Sequence, residues 1–435
     1  MSARPPLRLA AVALAAPLLL LPLLLVPALG LGAGVGALAV LLAWISPAIP
    51  LGLASAGDLV PLVGSVQLPG NAVVVALFAW TVAGTVFAVS RAPERLPVGI
   101  VAAPVLLSVA LLAIMLIRLS DTPAEQYGSE KLQLFVVVNV AVLTAGVIVG
   151  RRRRDVELCL ALTCAIAVIG AVALLISVIN GAEPVFAGRY ALSEDDPIAL
   201  GRLSAAGLLI ALYALLTARA AVGSLALCAL PVLLVALLSS GSRGPFIGLV
   251  LGLVVLWGLL ARGEQTAGRG PLLVGAVILA VAFASQLVPG AAIERAASLL
   301  VGGVEGQDAN GRAELWAQAW QTFVEHPWLG VGTGGFAAVA PGDVYPHNLV
   351  LEAAAEWGLV GLLALGGILA IGAAQIVRAV RWPPPDERGL TVLVAALFTA
   401  ALANAMFSGD ITANSNLWLT LGLGLGLASR SRSPA

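Results

Sequence analysis

The stretch "RRRRDVELCLALTCAIAVIGAVALLISVIN", residues 151–180, decides the fold. Four arginines precede a predominantly apolar run, residues 156–179, which is long enough to cross the roughly 30 Å hydrocarbon core of a bilayer as one α-helix. Short loops rich in Lys and Arg stay in the cytoplasm, so Arg151–Arg154 predict the cytoplasmic end of this helix. A binding patch is the alternative interpretation of the four arginines, and the membrane anchor is favoured.

The composition extends this prediction to the whole chain. Of its 435 residues, 60% are hydrophobic and 11% are charged, and the mean hydropathy is +1.03. Soluble domains are roughly half apolar and about a quarter charged. We therefore expect an all-α integral membrane protein that forms a single polytopic domain over residues 1–435. The formal net charge is zero, which gives no electrostatic argument for nucleic acid as a partner.

Basic and non-basic loops alternate from Arg91 onward, and this alternation predicts the topology. The basic loops are assigned to the cytoplasm together with both termini. Two net crossings before Arg91 give about twelve membrane helices, with fourteen as the alternative. The opening residues are similar to a signal peptide, but a first membrane helix is favoured. The spans predicted after Arg91 are 97–117, 132–150, 156–179, 200–218, 221–238, 245–261, 271–288, 357–377, 390–407 and 415–429.

Residues 290–346 form the one long non-membrane segment in this prediction, a large extracytoplasmic loop containing amphipathic helices. Residues 291–303 are a short amphipathic run, and "NGRAELWAQAWQTFVEHP", residues 310–327, is typical of a helix that ends before a proline. Trp316, Trp320 and Phe323 fall at i, i+4 and i+7, which predicts one apolar stripe. We expect this helix to lie along the outer membrane interface; packing against other helices is the alternative.

The loop continues as a glycine-rich segment, residues 326–348. Gly330-x-Gly332-x-x-Gly335 matches the letters of a dinucleotide-binding fingerprint, but that motif needs a strand before it and a helix after it. Here the letters follow a predicted helix outside the membrane. The segment therefore indicates a tight loop in which backbone approaches other backbone or a substrate.

Several polar residues near predicted outer helix ends are candidates for chemistry. Arg243 stands in a very short outer loop, where a lone arginine opposes the positive-inside trend and requires a partner. His347 precedes an apolar helix and can accept a proton near neutral pH. Asn348, Glu352 and Glu356 would share a polar stripe on that helix, which we expect to continue unbroken into the span at 357–377. The carboxylates could orient His347, pair with an arginine or pair two helices. Glu194, Asp195 and Asp196 invite a metal site, but a solvated turn is favoured.

The combined pattern resembles the O-antigen ligase/polymerase superfamily of membrane glycosyltransferases. The residues that carry the resemblance are "SRG" at 242–244, "GRAELW" at 311–316, "PWLGVG" at 327–332, "HN" at 347–348 and "EWG" at 356–358, with a looser element in residues 188–207. The resemblance covers residues 185–380, the expected catalytic core.

The resemblance implies a GT-C-like helical bundle that transfers a glycan, with inversion, from an undecaprenyl-pyrophosphate carrier to a glycan or glycolipid acceptor. The reaction would take place at the outer face of the cytoplasmic membrane and need neither a metal ion nor another cofactor. By position, His347 and Arg243 correspond to catalytic residues, and Arg189, Arg202 and Arg312 to substrate-binding ones. Asn348, Glu352 and Glu356 are further candidates for substrate binding. A lipid-linked-glycan flippase or transporter is the alternative function.

Overall fold

The computed structural model describes residues 46, 48–54, 98–185, 188–191, 197–217, 220–260, 307–340, 344–383 and 386–431, with a few isolated positions between 275 and 290. Nearly all of the first 90 residues, most of the span predicted at 271–288, the run at 291–303 and the acidic cluster Glu194–Asp196 lie outside these ranges. Within them the chain is helical and no strand occurs. The helices are α1 Ala48–Ala54, α2 Val98–Ile117, α3 Glu125–Gly150, α4 Arg153–Ile179, α5 Pro197–Thr217, α6 Ala220–Ser239, α7 Arg243–Leu260, α8 Gln307–Glu325, α9 Leu349–Arg381, α10 Arg388–Ala405 and α11 Ser415–Ala428.

Seven of these helices, α3 to α7, α9 and α10, are long and apolar enough to cross a membrane, and α2 and α11 contain shorter apolar segments. Large apolar side chains such as Leu106, Ile169 and Leu225 are more than 60% exposed on their outward faces, as expected for surfaces that contact lipid. The all-α membrane fold is therefore confirmed for the described residues. The total of about twelve helices stays a prediction.

Close helix packing in the centre of the bundle depends on small residues. Gly146 and Gly150 of α3 face Gly422 and Gly426 of α11, where an added Cβ on Gly150 would lie 2.8 Å from the Cα of Gly426. Both helices thus carry the small-xxx-small pattern that lets two backbones approach closely in a membrane.

The bundle has two chemically different ends. At one end Arg153 of α4 donates to the carbonyl of Asp386 (3.1 Å), and Arg430 pairs with Glu387; we call this the basic end. At the opposite end lie the starts of α5, α7, α9 and α11 and the end of α10; we call this the site end. The sequence prediction separated the same two sets of loops by charge alone.

Helix α9 is broken, which differs from the continuous helix expected beyond the span. Gly358 has φ 60° and ψ −154°, so residues 349–357 and 359–381 form two helical segments. The second segment alone, at 1.5 Å per residue, is about 34 Å long and suffices to cross a bilayer. The first segment is free to turn away from the span and carries Glu352 and Glu356 with it.

Candidate active site

The turn between α10 and α11, residues 406–414, connects most of the predicted site residues; we call it the α10–α11 turn. Arg202 of α5 donates from Nη1 to the carbonyl of Ala413 (2.5 Å) and from Nη2 to Oγ of Ser408 (3.4 Å). Its side chain is buried. Arg202 therefore braces the turn, with both terminal nitrogens directed at protein oxygens.

Arg243 begins α7 directly beside the same region. A Cβ added to the next residue, Gly244, would lie 2.7 Å from Oδ1 of Asn404 at the end of α10, so a larger residue would displace this amide. Arg243 is half-buried, and its Nε donates no hydrogen bond within the described structure. The buried Oδ1 of Asn404 likewise accepts none there. Arg202 differs in that its two terminal nitrogens, Nη1 and Nη2, bond to the α10–α11 turn.

Arg189 approaches the site end from another side. The neighbouring residue Tyr190 donates its backbone N–H to the carbonyl of Ser239 (2.9 Å), the last residue of α6. Ser239 precedes the short Ser240–Ser242 connection into Arg243. This backbone bond places Arg189 next to the connection from which Arg243 emerges.

His347 and Asn348 form the start of α9. Asn348 is the N-cap: its Oδ1 accepts from the backbone N–H groups of Val350 and Leu351, each at 3.0 Å. Its Nδ2 donates to the carbonyl of Met406 in the α10–α11 turn (3.1 Å). His347 has φ 55°, an uncommon left-handed conformation for a non-glycine residue. Its ring meets Tyr345 edge-on at 4.6 Å between centroids. The cap and the bond to Met406 fix the backbone that presents the imidazole.

Helix α8 joins the same group through Trp316. Its Nε1 donates to the carbonyl of Pro346 (3.0 Å), next to His347, and its ring lies 6.2 Å from that of Phe407. Arg312, one helical turn before Trp316, is therefore on the helix that covers this side. The apolar stripe of α8 does not lie on one buried face. Helix α8 buries Leu315 and Ala319 against Phe336, whereas Trp320 of the predicted stripe is 57% exposed. Placement at a membrane interface stays a prediction for that exposed part.

The glycine-rich segment fills the break in α9. Val331 and Gly332 donate backbone N–H bonds to the carbonyls of Ala355 and Glu356 (2.9 and 3.0 Å), and Leu359 donates to the carbonyl of Pro327 (2.7 Å). These bonds satisfy the groups that the kink releases from the helix. Gly330 has φ 61°, and an added Cβ would lie 2.3 Å from the backbone of Glu356. The segment is thus a backbone-to-backbone loop, as the sequence indicated.

Among the residues that the structure describes, Glu352 and Glu356 pair with a lysine. Lys131 of α3 lies 2.7 Å from one carboxylate oxygen of each glutamate, and all three side chains are 0% exposed. Of the alternatives left open by the sequence, the structure places these carboxylates in a helix-to-helix pair. Their assignment to substrate stays a prediction.

Two features of the site were missed by sequence reasoning. Lys131 is the only lysine in a chain with 22 arginines, a signal that the composition contained. The α10–α11 turn carries Asp410, whose Oδ1 accepts from Thr412 and Ala413 while Oδ2 accepts from Tyr127 (3.1 Å). Nothing in the sequence links Asp410 to Tyr127, because these two residues are 283 positions apart in the chain.

Within the described residues no group of three or more His, Cys, Asp or Glu is arranged to hold a metal ion. The site end instead gathers arginines and one histidine around the α10–α11 turn. Arg202 and Asn348 donate to this turn, and Gly244, next to Arg243, lies against Asn404 just before it. His347 precedes Asn348, Arg189 lies beside the connection into Arg243, and Arg312 is on α8, which contacts Pro346 through Trp316. This combination defines a multi-pass helical membrane protein with a cationic site at one end of its bundle.

Comparison with known proteins agrees with the resemblance. Residues 226–366 match the family model described as O-Antigen ligase. A protein of Pseudomonas aeruginosa described as "O-antigen ligase" is 31% identical over 140 residues, which is 31% of this chain and 30% of that protein. The chain thus matches less than a third of its curated relative's length. The two findings confirm the resemblance to the O-antigen ligase/polymerase superfamily, and with the apolar helices they imply a multi-pass protein of the bacterial inner membrane.

Proposed function

We propose that this protein is a membrane glycosyltransferase of the O-antigen ligase or polysaccharide polymerase type. It transfers a glycan, with inversion, from an undecaprenyl-pyrophosphate carrier to a glycan or glycolipid acceptor. The match over residues 226–366, which include Arg243 and His347, supports this type of activity. The site end then faces outward and both termini face the cytoplasm, in agreement with the arginine distribution.

One observation carries the proposal: Arg243 and His347 reach the same turn from different helices. Gly244 lies against Asn404 two residues before Met406, and Asn348 donates to the carbonyl of Met406. The backbones that carry the guanidinium and the imidazole thus approach the same connection, and a single substrate between the two groups requires such an approach.

The chemistry follows from these two groups. When the bond between the sugar and the pyrophosphate breaks, negative charge grows on the leaving phosphate oxygen, and the planar guanidinium of Arg243 can bind it in two places. His347 takes the proton of the acceptor hydroxyl as that oxygen attacks the opposite face of the anomeric carbon, which inverts the configuration. Arg189 and Arg312 would add charge around the carrier. In this scheme arginine supplies the charge stabilisation that a metal ion provides in other enzymes, so the reaction is metal-independent.

The remaining candidates support the structure of the proposed site. Asn348 caps α9 and holds the α10–α11 turn, and Arg202 braces that turn. In the proposal Asn348 and Arg202 shape the substrate-binding surface. They contact the glycan only through side-chain atoms that are not already bonded to the protein. Glu352 and Glu356 are fully buried and pair with Lys131.

A flippase or transporter would require its polar groups at a different place in the bundle. Transporters hold substrate near the bilayer midplane on broken helices. In the described part of the chain, the buried charged side chains lie at the two ends of the bundle: Lys131, Arg202, Glu352, Glu356 and Asp410 at the site end and Glu387 at the basic end. The break in α9 is also at the site end and is filled by the glycine-rich segment.

Product analysis tests the proposal. The purified protein in lipid nanodiscs is given an undecaprenyl-pyrophosphate-linked repeat unit, with and without a glycolipid acceptor, in buffer containing EDTA. We expect free undecaprenyl pyrophosphate and a lengthened or ligated glycan with inverted configuration. Lengthening without an added acceptor identifies a polymerase, and dependence on the acceptor identifies a ligase. In proteoliposomes, movement of the intact carrier across the bilayer without any new glycosidic bond would establish the flippase alternative. Loss of activity in EDTA that Mg²⁺ restores would refute the metal-free scheme.

A further inference from the structure

The only lysine of the chain is fully buried where α3 meets the first segment of α9. Lys131 Nζ is 2.7 Å from Oε1 of Glu352 and 2.7 Å from Oε1 of Glu356, and all three side chains are fully buried. The lysine also faces the rings of Tyr127 (5.2 Å) and Trp357 (5.9 Å). We call Lys131, Glu352 and Glu356 the buried triad.

The charges of the buried triad do not balance if every group is ionised. One ammonium faces two carboxylates, and an uncompensated buried charge is among the most costly features a protein can hold. The other polar groups that face it are Tyr127 and Asp410, and they add no positive charge; Asp410 also has its own four donors. One of the two glutamates must therefore carry a proton.

Hydrogen bonds distinguish the two glutamates. Both oxygens of Glu356 are bonded: Oε1 to Lys131 (2.7 Å) and Oε2 to the backbone N–H of Gly334 (2.8 Å). Glu352 has Lys131 and the N–H of Ile411 (3.3 Å) on Oε1 alone. Its buried Oε2 has no partner within the described structure. A carboxylate is stabilised by donors on both oxygens, so Glu356 is the ionised member and Glu352 the protonated one.

The same bonds tie together the parts of the proposed active site. Glu356 reaches Gly334 in the glycine-rich segment, and Glu352 reaches Ile411 in the α10–α11 turn. Both glutamates lie on the segment 349–357 that begins just after His347. Lys131 therefore connects this segment to α3, and the two glutamates connect it to the glycine-rich segment and to the α10–α11 turn.

We propose that Lys131 is a positioning residue for the transfer reaction, which it serves through a neutral triad of Lys131 ammonium, Glu356 carboxylate and protonated Glu352. The triad sets the position of the His347 segment relative to the α10–α11 turn. The catalytic part of this inference rests on the proposed function; the charge assignment does not.

Two single substitutions test the charge assignment without any activity measurement. Glu352→Gln replaces a protonated acid by a neutral side chain and still offers an oxygen to Lys131, so we expect a melting temperature and amide exchange close to wild type. Glu356→Gln removes the carboxylate that accepts from both sides. We expect exchange in the peptide containing Gly334 to accelerate about tenfold, the effect of losing one net hydrogen bond. Equal behaviour of the two variants, or greater damage from Glu352→Gln, would overturn the assignment.

A double substitution separates positioning from stability. Lys131→Met leaves a buried carboxylate unpaired, and we expect a large loss of melting temperature. Lys131→Met combined with Glu356→Gln is neutral again, so its melting temperature should recover. The tie to α3 remains absent, so a roughly 100-fold loss of glycan transfer should persist, as a small misplacement of a catalytic group predicts.

The outcomes identify which idea has failed. If transfer returns together with the melting temperature, Lys131 serves stability only and the positioning role is refuted. If Lys131→Met does not fold, the comparison of Glu352→Gln with Glu356→Gln and the double variant still decide the question. If the exchange and melting results follow the expectation but the wild-type protein transfers no glycan, the triad is correct and the proposed function is wrong.

Discussion

The two ends of the bundle use charge in opposite ways. At the basic end Arg153 pairs with Glu157, one helical turn away, and both side chains are 50% exposed. At the site end Lys131 pairs with glutamates more than 200 positions away in the sequence, and all three side chains are 0% exposed. The Arg430–Glu387 pair lies between these extremes, because its glutamate is buried and its arginine is partly exposed.

This difference shows what each set of charges can do. Exposed pairs contribute about 0–1 kcal/mol each because water screens them. Breaking a buried pair costs about 3–5 kcal/mol because it leaves one charge without a partner. The exposed Arg153–Glu157 pair can therefore set orientation in the membrane without fixing geometry, whereas the buried triad fixes the relative positions of helices. The following substitutions test this contrast.

The largest effect is expected at His347. His347→Ala removes the proton acceptor, and general acid–base catalysis typically contributes about 10²–10⁴-fold in rate. We expect glycan transfer to fall by about that factor with unchanged expression, measured by release of undecaprenyl pyrophosphate. His347→Asn is the matched control, because asparagine tolerates the left-handed backbone at this position. Substantial transfer by the Asn variant would remove the histidine from the mechanism.

The next effect distinguishes two arginines at the same end. Arg243→Lys keeps the charge but loses the planar fork, so we expect transfer to fall about 10- to 100-fold, a loss of about 1.4–2.7 kcal/mol in transition-state binding, with a wild-type melting temperature. Arg202→Lys loses the bonds to Ala413 and Ser408, so its melting temperature should fall as well. Kinetics and thermal unfolding of both variants decide the matter. Identical behaviour would mean that Arg243 is also a structural brace.

The same contrast explains what the sequence could predict. Apolar length and arginine placement are local signals, and they placed α2, α4, α5, α6, α7, α10 and α11 within a few residues of their observed bounds. The role of Glu356 depended on a lysine 225 positions away, and the break at Gly358 depended on a loop that crosses it. Hydrophobic periodicity continues through residues 349–381, so nothing local announces the kink. For the pairing of Glu356, the one signal in the sequence was that Lys131 is the only lysine of the chain.

An intermediate effect is expected at the kink itself. Gly358→Ala forces a side chain into φ 60°, which costs about 1–3 kcal/mol, and its Cβ would lie 2.4 Å from the backbone of Trp328. We expect a lower melting temperature and faster amide exchange in residues 326–332. Gly366→Ala is the control in the same helix, because a Cβ there meets nothing within 4 Å. If both variants melted alike, the glycine-rich segment would not depend on the break.

The smallest effect is expected at the basic end, where an exposed ion pair should change the free energy of unfolding very little. Arg153 and Glu157 should contribute about 0.3–0.5 kcal/mol by their interaction, the usual value for an exposed pair one helical turn apart. A double-mutant cycle of Arg153→Ala and Glu157→Ala measures this coupling free energy directly, and the coupling should decline further in 1 M salt, where the screening length is about 3 Å.

The equivalent cycle of Lys131→Met and Glu356→Gln should give a coupling several times larger that salt leaves almost unchanged, because no ions reach a fully buried pair. Similar coupling energies at both ends would mean that burial, as the structure shows it, does not govern how this protein uses its charges.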